Sequence, residues 1–401
     1  MAATARKLKV VDSRVECALC GFKSHSLLDH LTEAHELSAE DYLAAHPGSA
    51  TLSRDCLNAV AVKRKGTRRT SAPDVVNLTA DLMGLRDFTV DHGIRELQCL
   101  PMPSHWAWPT KGKAKKAYRR ALIALIMGQP VYIWGGAGMG KDAIGHAFSA
   151  LTRTAAELYC FTTGTNVKDW FYTRRLDADG TGWDYGVLWR LLTQGAVGTD
   201  GVKRPAMIIF SDIDRGTPEQ LEEFRLILDT TSQRIKGPDG STAMVLPGTR
   251  FMFTANSSGT GDESGRMSSQ RIDASLIDRM GRFVQFSYLH WDDEGPILRA
   301  KFPLVAEVAP LVFDELGKAT KRLRDAIDSE ELYAEFTHRG ICEVLAEATD
   351  LIKFNDGAAP SSLLKHGFAA WLDRLDSDQR MIAKRLIDAE ITGGTFGDDE
   401  D

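Results

Sequence analysis

Two groups of residues in this 401-residue chain have types and spacing suited to chemistry. Cys17-Ala-Leu-Cys20 is followed, after nine residues, by His30-x4-His35. Two cysteines on a tight knuckle and two histidines about one helical turn apart can close a tetrahedron around Zn2+, so Cys17, Cys20, His30 and His35 are candidate zinc ligands. Phe22 and Leu27 are expected to fill the small core beside them, and His25 to stand in solvent. Further along, VYIWGGAGMGKDAIGHAF carries the spacing G-x-x-x-x-G-K. Gly135, Gly136, Ala137, Gly138, Met139 and Gly140 there form a loop between an apolar strand and a helix. Glycines let the backbone N–H groups turn toward phosphates, the following helix adds its positive N-terminal end, and Lys141 reaches the β and γ oxygens of ATP.

The residue after that lysine breaks the pattern. Ser or Thr is usual, its hydroxyl binding Mg2+; here it is Asp142. A carboxylate about 4 Å from a phosphate charge is repelled by roughly 4 kcal/mol at an effective dielectric near 20, so the position calls for a metal or another compensating group. The plain alternative is an acid favoured in a first helical turn.

PAMIIFSDIDRGTPEQLEEFRLILD resembles the D-E-I-N-R-A-P-P or D-E-Y-D-A-G-R-P block of MoxR-type AAA+ ATPases and of the CobS-type cobaltochelatase subunit. The resemblance sets Ser211 where the Mg2+-associated Asp belongs, puts Asp212 in place of the catalytic Glu, and aligns Asp214 with the polar residue two further on. Together with Asp142 it implies that hydroxyl and carboxylate have changed places, so that Asp142, Ser211 and Asp212 serve Mg2+ with no change in net charge. Asp212, one methylene shorter than Glu, is then the water-positioning acid, and hydrolysis is expected to be slowed. A degenerate site that binds nucleotide and hydrolyses poorly is the competing reading.

GTRFMFTANSSGTGDESGRMSSQRIDASLIDRMGRFVQFSYL resembles the CobS-type stretch from A-N-T-V-G-x-G-D to M-D-R-W. It implies that Asn256 is the sensor 1 residue and that Arg279 is a finger offered to the γ-phosphate of a neighbouring subunit. EFTHRGICEVLAEATDLI is similar to the S-P-R-T block of the family's lid, with His338 in place of the proline; this implies Arg339 at sensor 2 and Thr337 as helix cap. The ATPase resemblance spans about residues 112–390. CGFKSHSLLDHLTEAHELSAEDY, in turn, resembles the finger of Ros/MucR-type bacterial regulators.

These residues need elements to hold them. KGKAKKAYRRALIALIMG reads as a helix ending at Gly128, and VYIW, YCFTTG, PAMIIFSD and GTRFMFTAN read as strands separated by longer helical stretches. Such alternation predicts an α/β fold, a P-loop AAA+ doubly wound parallel sheet, with a helical C-terminal lid past about residue 290 and a small zinc finger in front. The expected division is a finger and following helix over 1–50, capped at Ser38; a basic linker and connecting segment over 51–111; the ATPase core over 112–290; and the lid and acidic tail over 291–401.

The chain is 43% hydrophobic, enough for a sizeable core, and carries a formal charge of −6. Its longest strongly apolar run, 121–127, falls far short of the roughly 20 residues a membrane span requires, and no apolar stretch follows the basic N-terminus. A cytoplasmic place, in a bacterial or phage-infected cell, is therefore expected. Cys56, Cys99, Cys160 and Cys342 are scattered and read as small core residues rather than ligands. The run 63–69 holds Lys63, Arg64, Lys65, Arg68 and Arg69, which could meet DNA, whereas Asp29 and Glu33 on the finger helix oppose a phosphate backbone. The finger can thus serve DNA or protein.

The expected function is a Mg2+- and ATP-dependent ring ATPase, hexameric, that remodels a partner; the resemblance implies a partner with a von Willebrand A-type domain. Two alternatives stay open: a CobS-type cobaltochelatase subunit, and a nucleotide-gated DNA-binding protein with weak or no hydrolysis.

Overall fold

The computed structural model describes residues 15–24, 27–35, 37–46, 49–51, 82–83, 85, 93–162, 164–177, 180–229, 231–261, 269–355, 357 and 359–391. His25, Cys56, the basic run 63–69 and the acidic tail lie outside them. The chain divides into two compact units, Met1–Val75 and Val76–Asp401.

In the first unit, β1 (Val15–Glu16) and β2 (Lys23–Ser24) pair antiparallel around the Cys17–Cys20 knuckle, followed by α1 (Leu28–His35) and α2 (Ala39–Ala45). Ser38 caps α2, its side chain accepting from Asp41 N at 3.1 Å. The core is Cys17, Leu27, Leu31 and Tyr42, with the Tyr42 hydroxyl accepting from Ala18 N at 2.8 Å. Leu27 fills it as expected. Phe22 does not: it is 49% exposed and its ring stacks on His30 instead, centroids 4.3 Å apart. Tyr42, from the following helix, is the aromatic residue of this core.

The second unit is built on one five-stranded sheet. Its strands are β3 (Val131–Trp134), β4 (Ala156–Cys160), β9 (Met207–Ser211), β12 (Arg250–Ala255) and β13 (Arg282–Gln285), in the spatial order β13-β3-β12-β9-β4. All neighbouring pairs are parallel. The alternation of side chains along β9 explains the layers: Met207 and Ile209 pack with α3 (Gly112–Ile126) and α4 (Lys141–Thr152), while Ile208 and Phe210 face Leu188, Leu192 and Phe224. Each such fully buried side chain contributes about 1.5–3 kcal/mol, and burial on both faces is why this strand reads as a continuous apolar run. Gly145 lets α4 lie close to the sheet, since a Cβ there would stand 2.5 Å from Ile209 Cδ1.

Three further hairpins interrupt the pattern: β5 (Tyr172–Asp177) with β6 (Gly180–Tyr185), β7 (Ala196–Val197) with β8 (Lys203–Arg204), and β10 (Arg234–Lys236) with β11 (Thr242–Met244). The short helix α5 (Lys168–Phe171) precedes the first of them and α6 (Val187–Gln194) follows it; α7 (Pro218–Glu222) and α8 (Ala274–Arg279) flank the later strands. The second predicted strand shifts to Ala156–Cys160, because Phe161 turns into a loop held by its N–H on Ser211 O at 2.9 Å.

Beyond β13 the described residues are helical: α9 (Trp291–Lys301), α10 (Pro303–Val308), α11 (Val312–Asp328), α12 (His338–Phe354), α13 (Leu363–Leu372) and α14 (Ser377–Asp388). They enclose their own core around Phe313, Phe336, Phe368 and Trp371. Among the described residues no helix is long and apolar enough to cross a membrane.

Candidate functional site

Three strands end side by side, and the sequence turns polar at each end: Gly135 follows β3, Asp212 follows β9 and Asn256 follows β12. The crevice outside the carboxyl ends of an open parallel sheet is where such folds bind ligands. The loop 135–140 leaves β3 with φ of 150° at Gly135, 69° at Gly138 and 74° at Gly140. At Gly138 a Cβ would also meet Thr337 Oγ1 at 2.7 Å, so glycine is required both for the turn and for the approach of α12. Thr337 is the cap of that helix, as the sequence indicated, accepting from Gly340 N at 3.5 Å.

Lys141 opens α4 and is 8% exposed. Its ammonium donates to Gly135 O at 2.8 Å, Gly136 O at 3.0 Å and Asn256 Oδ1 at 2.7 Å. Burial pulls this ammonium below its ordinary pKa, opposed by the nearby carboxylates of Asp212 and Asp142.

Asp142 sits next in the helix. Ser211 Oγ donates to its Oδ2 at 2.9 Å, and Thr254 Oγ1 donates to its Oδ1 at 2.6 Å. Carboxylate and hydroxyl therefore face each other directly, the carboxylate on the helix and the hydroxyls on the strands. Thr254, fully buried in β12, was not singled out by the sequence; it looked like one more strand residue, and only the pairing of β12 beside β9 brings it to Asp142. Two hydroxyls and a carboxylate form an all-oxygen donor set at the mouth of the phosphate loop, which suits Mg2+.

Asp212 takes a left-handed backbone, φ 52° and ψ 41°, at the turn leaving β9. For a residue other than glycine this is an uncommon conformation that needs support from its surroundings. Burial raises the pKa of its carboxyl, Arg215 at 3.7 Å opposes, and Asp142 and Asp214 add to the rise. Asp214 is fully buried, and its Oδ2 accepts from Asn256 N at 3.0 Å, Ser257 N at 3.0 Å, Ser257 Oγ at 3.1 Å and Ser269 Oγ at 2.7 Å. One carboxylate thereby fixes the backbone that carries Asn256.

The loop, Lys141, Asp142, Asp212, Asn256 and Arg339 share a cleft of about 440 Å3. Arg215, Lys301 and Cys342 line it too, none of them anticipated. Cys99 and Cys342 are half-buried and pack against the two larger cores, whereas Cys160 is exposed and is not the core residue expected. Arg279 is not brought to the cleft: it ends α8 with Nη1 donating to Ser275 O at 3.2 Å. Beside the cleft a second chamber of about 240 Å3 is lined by Trp106, Tyr118, Met139, Tyr288 and Ile297, and the two share Gly138 and Gly140. Arg324, Glu294 and His338 form a triad in its lining. Arg324 donates to Glu294 at 2.7 Å and 3.2 Å, and His338 Nδ1 lies 3.0 Å from Glu294 Oε1. Burial would raise the Glu294 carboxyl, but its hydrogen bonds with His338 and Arg324 hold it below the usual range.

In the first unit the ligand atoms of Cys17, Cys20, His30 and His35 lie within 4.8 Å of one another. Individual separations are 3.6 Å for Cys17–His35, 3.2 Å for Cys20–His30 and 3.4 Å for Cys20–His35. Zinc bonds of about 2.0–2.3 Å at tetrahedral angles place ligands roughly 3.5 Å apart, so the four residues fit the ion.

The parallel sheet of this order, the phosphate loop after β3 and the helical region that follows define a P-loop AAA+ fold. In sequence, residues 130–280 match the AAA domain family, dynein-related subfamily. Among solved structures, the chain is similar to the Holliday junction branch migration motor RuvB of Thermotoga maritima, at 14% identity over 75% of this chain and 82% of that one, TM-score 0.43. It is also similar to NtrX from Brucella abortus in complex with ADP, at 12% identity over 88% and 67% of the respective chains, TM-score 0.45. No curated protein sequence matches it.

Proposed function

We propose that the chain binds ATP with Mg2+ and hydrolyses it, assembles as a ring, and uses the energy to remodel a partner. The observation that carries this reading is the convergence of Lys141, Asp142, Asn256 and Arg339 on one cleft floored by the phosphate loop, with Ser211 donating to Asp142. The aromatic chamber beside it suits a nucleoside base, and the buried Trp106 Nε1, which has no hydrogen-bond partner in the protein, supplies a donor there.

In this mechanism the loop N–H groups and Lys141 take the phosphates, which requires Lys141 to exchange its carbonyl partners for phosphate oxygens. Asp142, Ser211 and Asp212 are the residues that would hold Mg2+, with Thr254 donating to the Asp142 carboxylate; the ion when bound would neutralise charge developing on the phosphates. Asp212 orients the attacking water and accepts its proton, Asn256 holds that water in line, and Arg339 steadies the phosphates from the lid side. Arg279, remote from its own cleft, acts in the neighbouring subunit's site. The partner with a von Willebrand A-type domain remains a proposal from sequence resemblance, as does membership of the MoxR and CobS group. Zn2+ on Cys17, Cys20, His30 and His35 completes the finger, which with residues 63–69 would engage DNA or a protein.

Steady-state ATP hydrolysis tests the reading. Phosphate release that Lys141→Ala and Arg279→Ala each abolish, with ring assembly intact in the latter, supports it. Nucleotide binding with no release above the Lys141→Ala background sinks hydrolysis and favours a nucleotide-gated binding protein.

A further inference from the structure

Cys342 lies one turn after His338 on α12, so the two side chains share a face of the helix. Lys301, the last residue of α9, places Nζ 3.2 Å from Cys342 Sγ. His338, one turn before the sulfur on the same helix, reaches the buried Glu294 through Nδ1. All three of Lys301, His338 and Cys342 line the charged cleft over the phosphate loop. The sulfur is thus flanked by two cation-bearing groups on a surface that solvent and small solutes reach.

We propose that Cys342 is a modification site, a nucleophilic sulfur that reacts with peroxide-class oxidants and that bound nucleotide shields. The second half of the proposal rests on the assignment of this cleft to nucleotide phosphates. The first half stands on the Cys–Lys–His cluster alone.

The electrostatics agree with the geometry. Burial by itself would raise the Cys342 thiol, but hydrogen bonding and charge from His338, then from Lys301, bring it below its ordinary value. Burial likewise lowers His338, yet its bonds to Cys342 and Glu294 lift it to about 9, so the ring is an imidazolium at neutral pH. The other charged groups lining this cleft are Lys141, Asp142, Asp212, Arg215 and Arg339. Cys99 and Cys160 differ: burial pushes both thiols up.

The reaction balances without a further cofactor. The thiolate sulfur attacks one oxygen of hydrogen peroxide, the S–O bond forms and the O–O bond breaks. The departing hydroxide takes the proton of His338 and leaves as water, while sulfur is oxidised to a sulfenic acid and the peroxide is reduced. Phosphates entering the cleft compete with the thiolate for Lys301 and cover the sulfur. Nucleotide should therefore slow the reaction.

The test measures alkylation by iodoacetamide and oxidation by hydrogen peroxide at pH 7 on the full chain, residue by residue by peptide mass spectrometry. Nucleotide binding by the unmodified protein is measured in parallel with a fluorescent ATP analogue. Cys342 is expected to react at least 10-fold faster than Cys99 and Cys160. Lys301→Met should slow it several-fold, with Lys301→Arg restoring the rate. ATP should slow it several-fold in the native chain and leave it unchanged in Lys141→Ala. Reaction no faster than at Cys99 and Cys160, or unchanged in both Lys301→Met and His338→Gln, overturns the site. ATP that binds without protecting Cys342 overturns the shielding. Absence of nucleotide binding in the unmodified chain overturns the nucleotide assignment, and the comparison with Cys99 and Cys160 still decides the thiolate.

Discussion

Ser211 Oγ donates to the Asp142 carboxylate across 2.9 Å, joining the end of β9 to the first turn of α4. A hydroxyl on the strand and a carboxylate on the helix are the reverse of the usual order, and the contact puts the pair within reach of one ion. This relationship predicts how substitutions combine. Ser211→Asp alone sets two carboxylates side by side, at roughly 4 kcal/mol of repulsion for a separation near 4 Å. Asp142→Thr alone removes the only carboxylate of the pair. Each single variant should lose Mg2+-dependent ATP hydrolysis at least 10-fold, and the double variant Asp142→Thr, Ser211→Asp should recover to within a few-fold of the parent. A double variant no better than its parents refutes the exchange.

Thr254 is the third member of this cluster and the one whose loss is simplest to read. Thr254→Val keeps the shape in β12 but leaves Asp142 Oδ1 without its 2.6 Å donor. Asp142 is half-buried, so the lost donor costs toward the low end of the about 1–3 kcal/mol that a fully buried acceptor would lose. A lowered melting temperature is expected, together with weaker Mg2+ dependence; unchanged values for both would mean that Thr254 only packs.

Asp214 should matter more for architecture than for chemistry. Its Oδ2 gathers four donors from the segment that carries Asn256 and from Ser269. Hydrogen bonds to charged groups are worth about 1.5–3 kcal/mol each, so Asp214→Ala should destabilise the fold by at least about 3 kcal/mol. Asp214→Asn, nearly isosteric, should lose less stability yet still lower the hydrolysis rate by displacing Asn256. Full activity in Asp214→Asn would argue that Asn256 is positioned by other means.

How far the sequence reaches is clear from these residues. The phosphate loop was legible because its parts are contiguous: strand, glycines and Lys141 lie within one short run. Asp142 and Ser211 were flagged by departing from a pattern, though nothing local says that they touch. Thr254 contacts Asp142 across 112 positions of chain, and no spacing rule encodes that. The edge strand β13 was hidden inside a stretch read for its arginine finger, and its alternation of burial is too short to register as a period. The hairpins β5–β6 and β10–β11 fell in stretches read as helical, since both are exposed and polar on at least one face. Phe22 was expected in the finger core, whereas its ring stacks on His30 and Tyr42 supplies the aromatic residue of that core.

The pH response of hydrolysis should report Asp212. A residue that accepts a proton from water must be ionised, so the rate falls as pH drops through its pKa. Burial, with help from Asp142 and Asp214 and against Arg215, raises that pKa above the ordinary Asp value near 3.9. The acid limb of kcat should accordingly lie at higher pH than a solvent-exposed aspartate would give. Removing Arg215 as Arg215→Met takes away the lowering influence and should shift the limb further toward neutrality. Measured kcat profiles of the parent and Arg215→Met check this, and a limb that stays in place argues that another group controls it.

The finger offers a separable readout. With Cys17 and Cys20 on the knuckle and His30 and His35 on α1, zinc would join the knuckle to the helix at the point where Leu27, Leu31 and Tyr42 make its only described core. Among the described residues this unit buries four core side chains, so bound metal would be expected to supply much of its stability. Cys20→Ser should abolish one equivalent of bound zinc and the ordered signals of residues 15–46, while ATP hydrolysis in the second unit, which has its own cores, should change less than two-fold. Chelation should act the same way and be reversed by added Zn2+. Zinc retained in Cys20→Ser would refute the ligand set, because the three remaining residues leave the tetrahedron open.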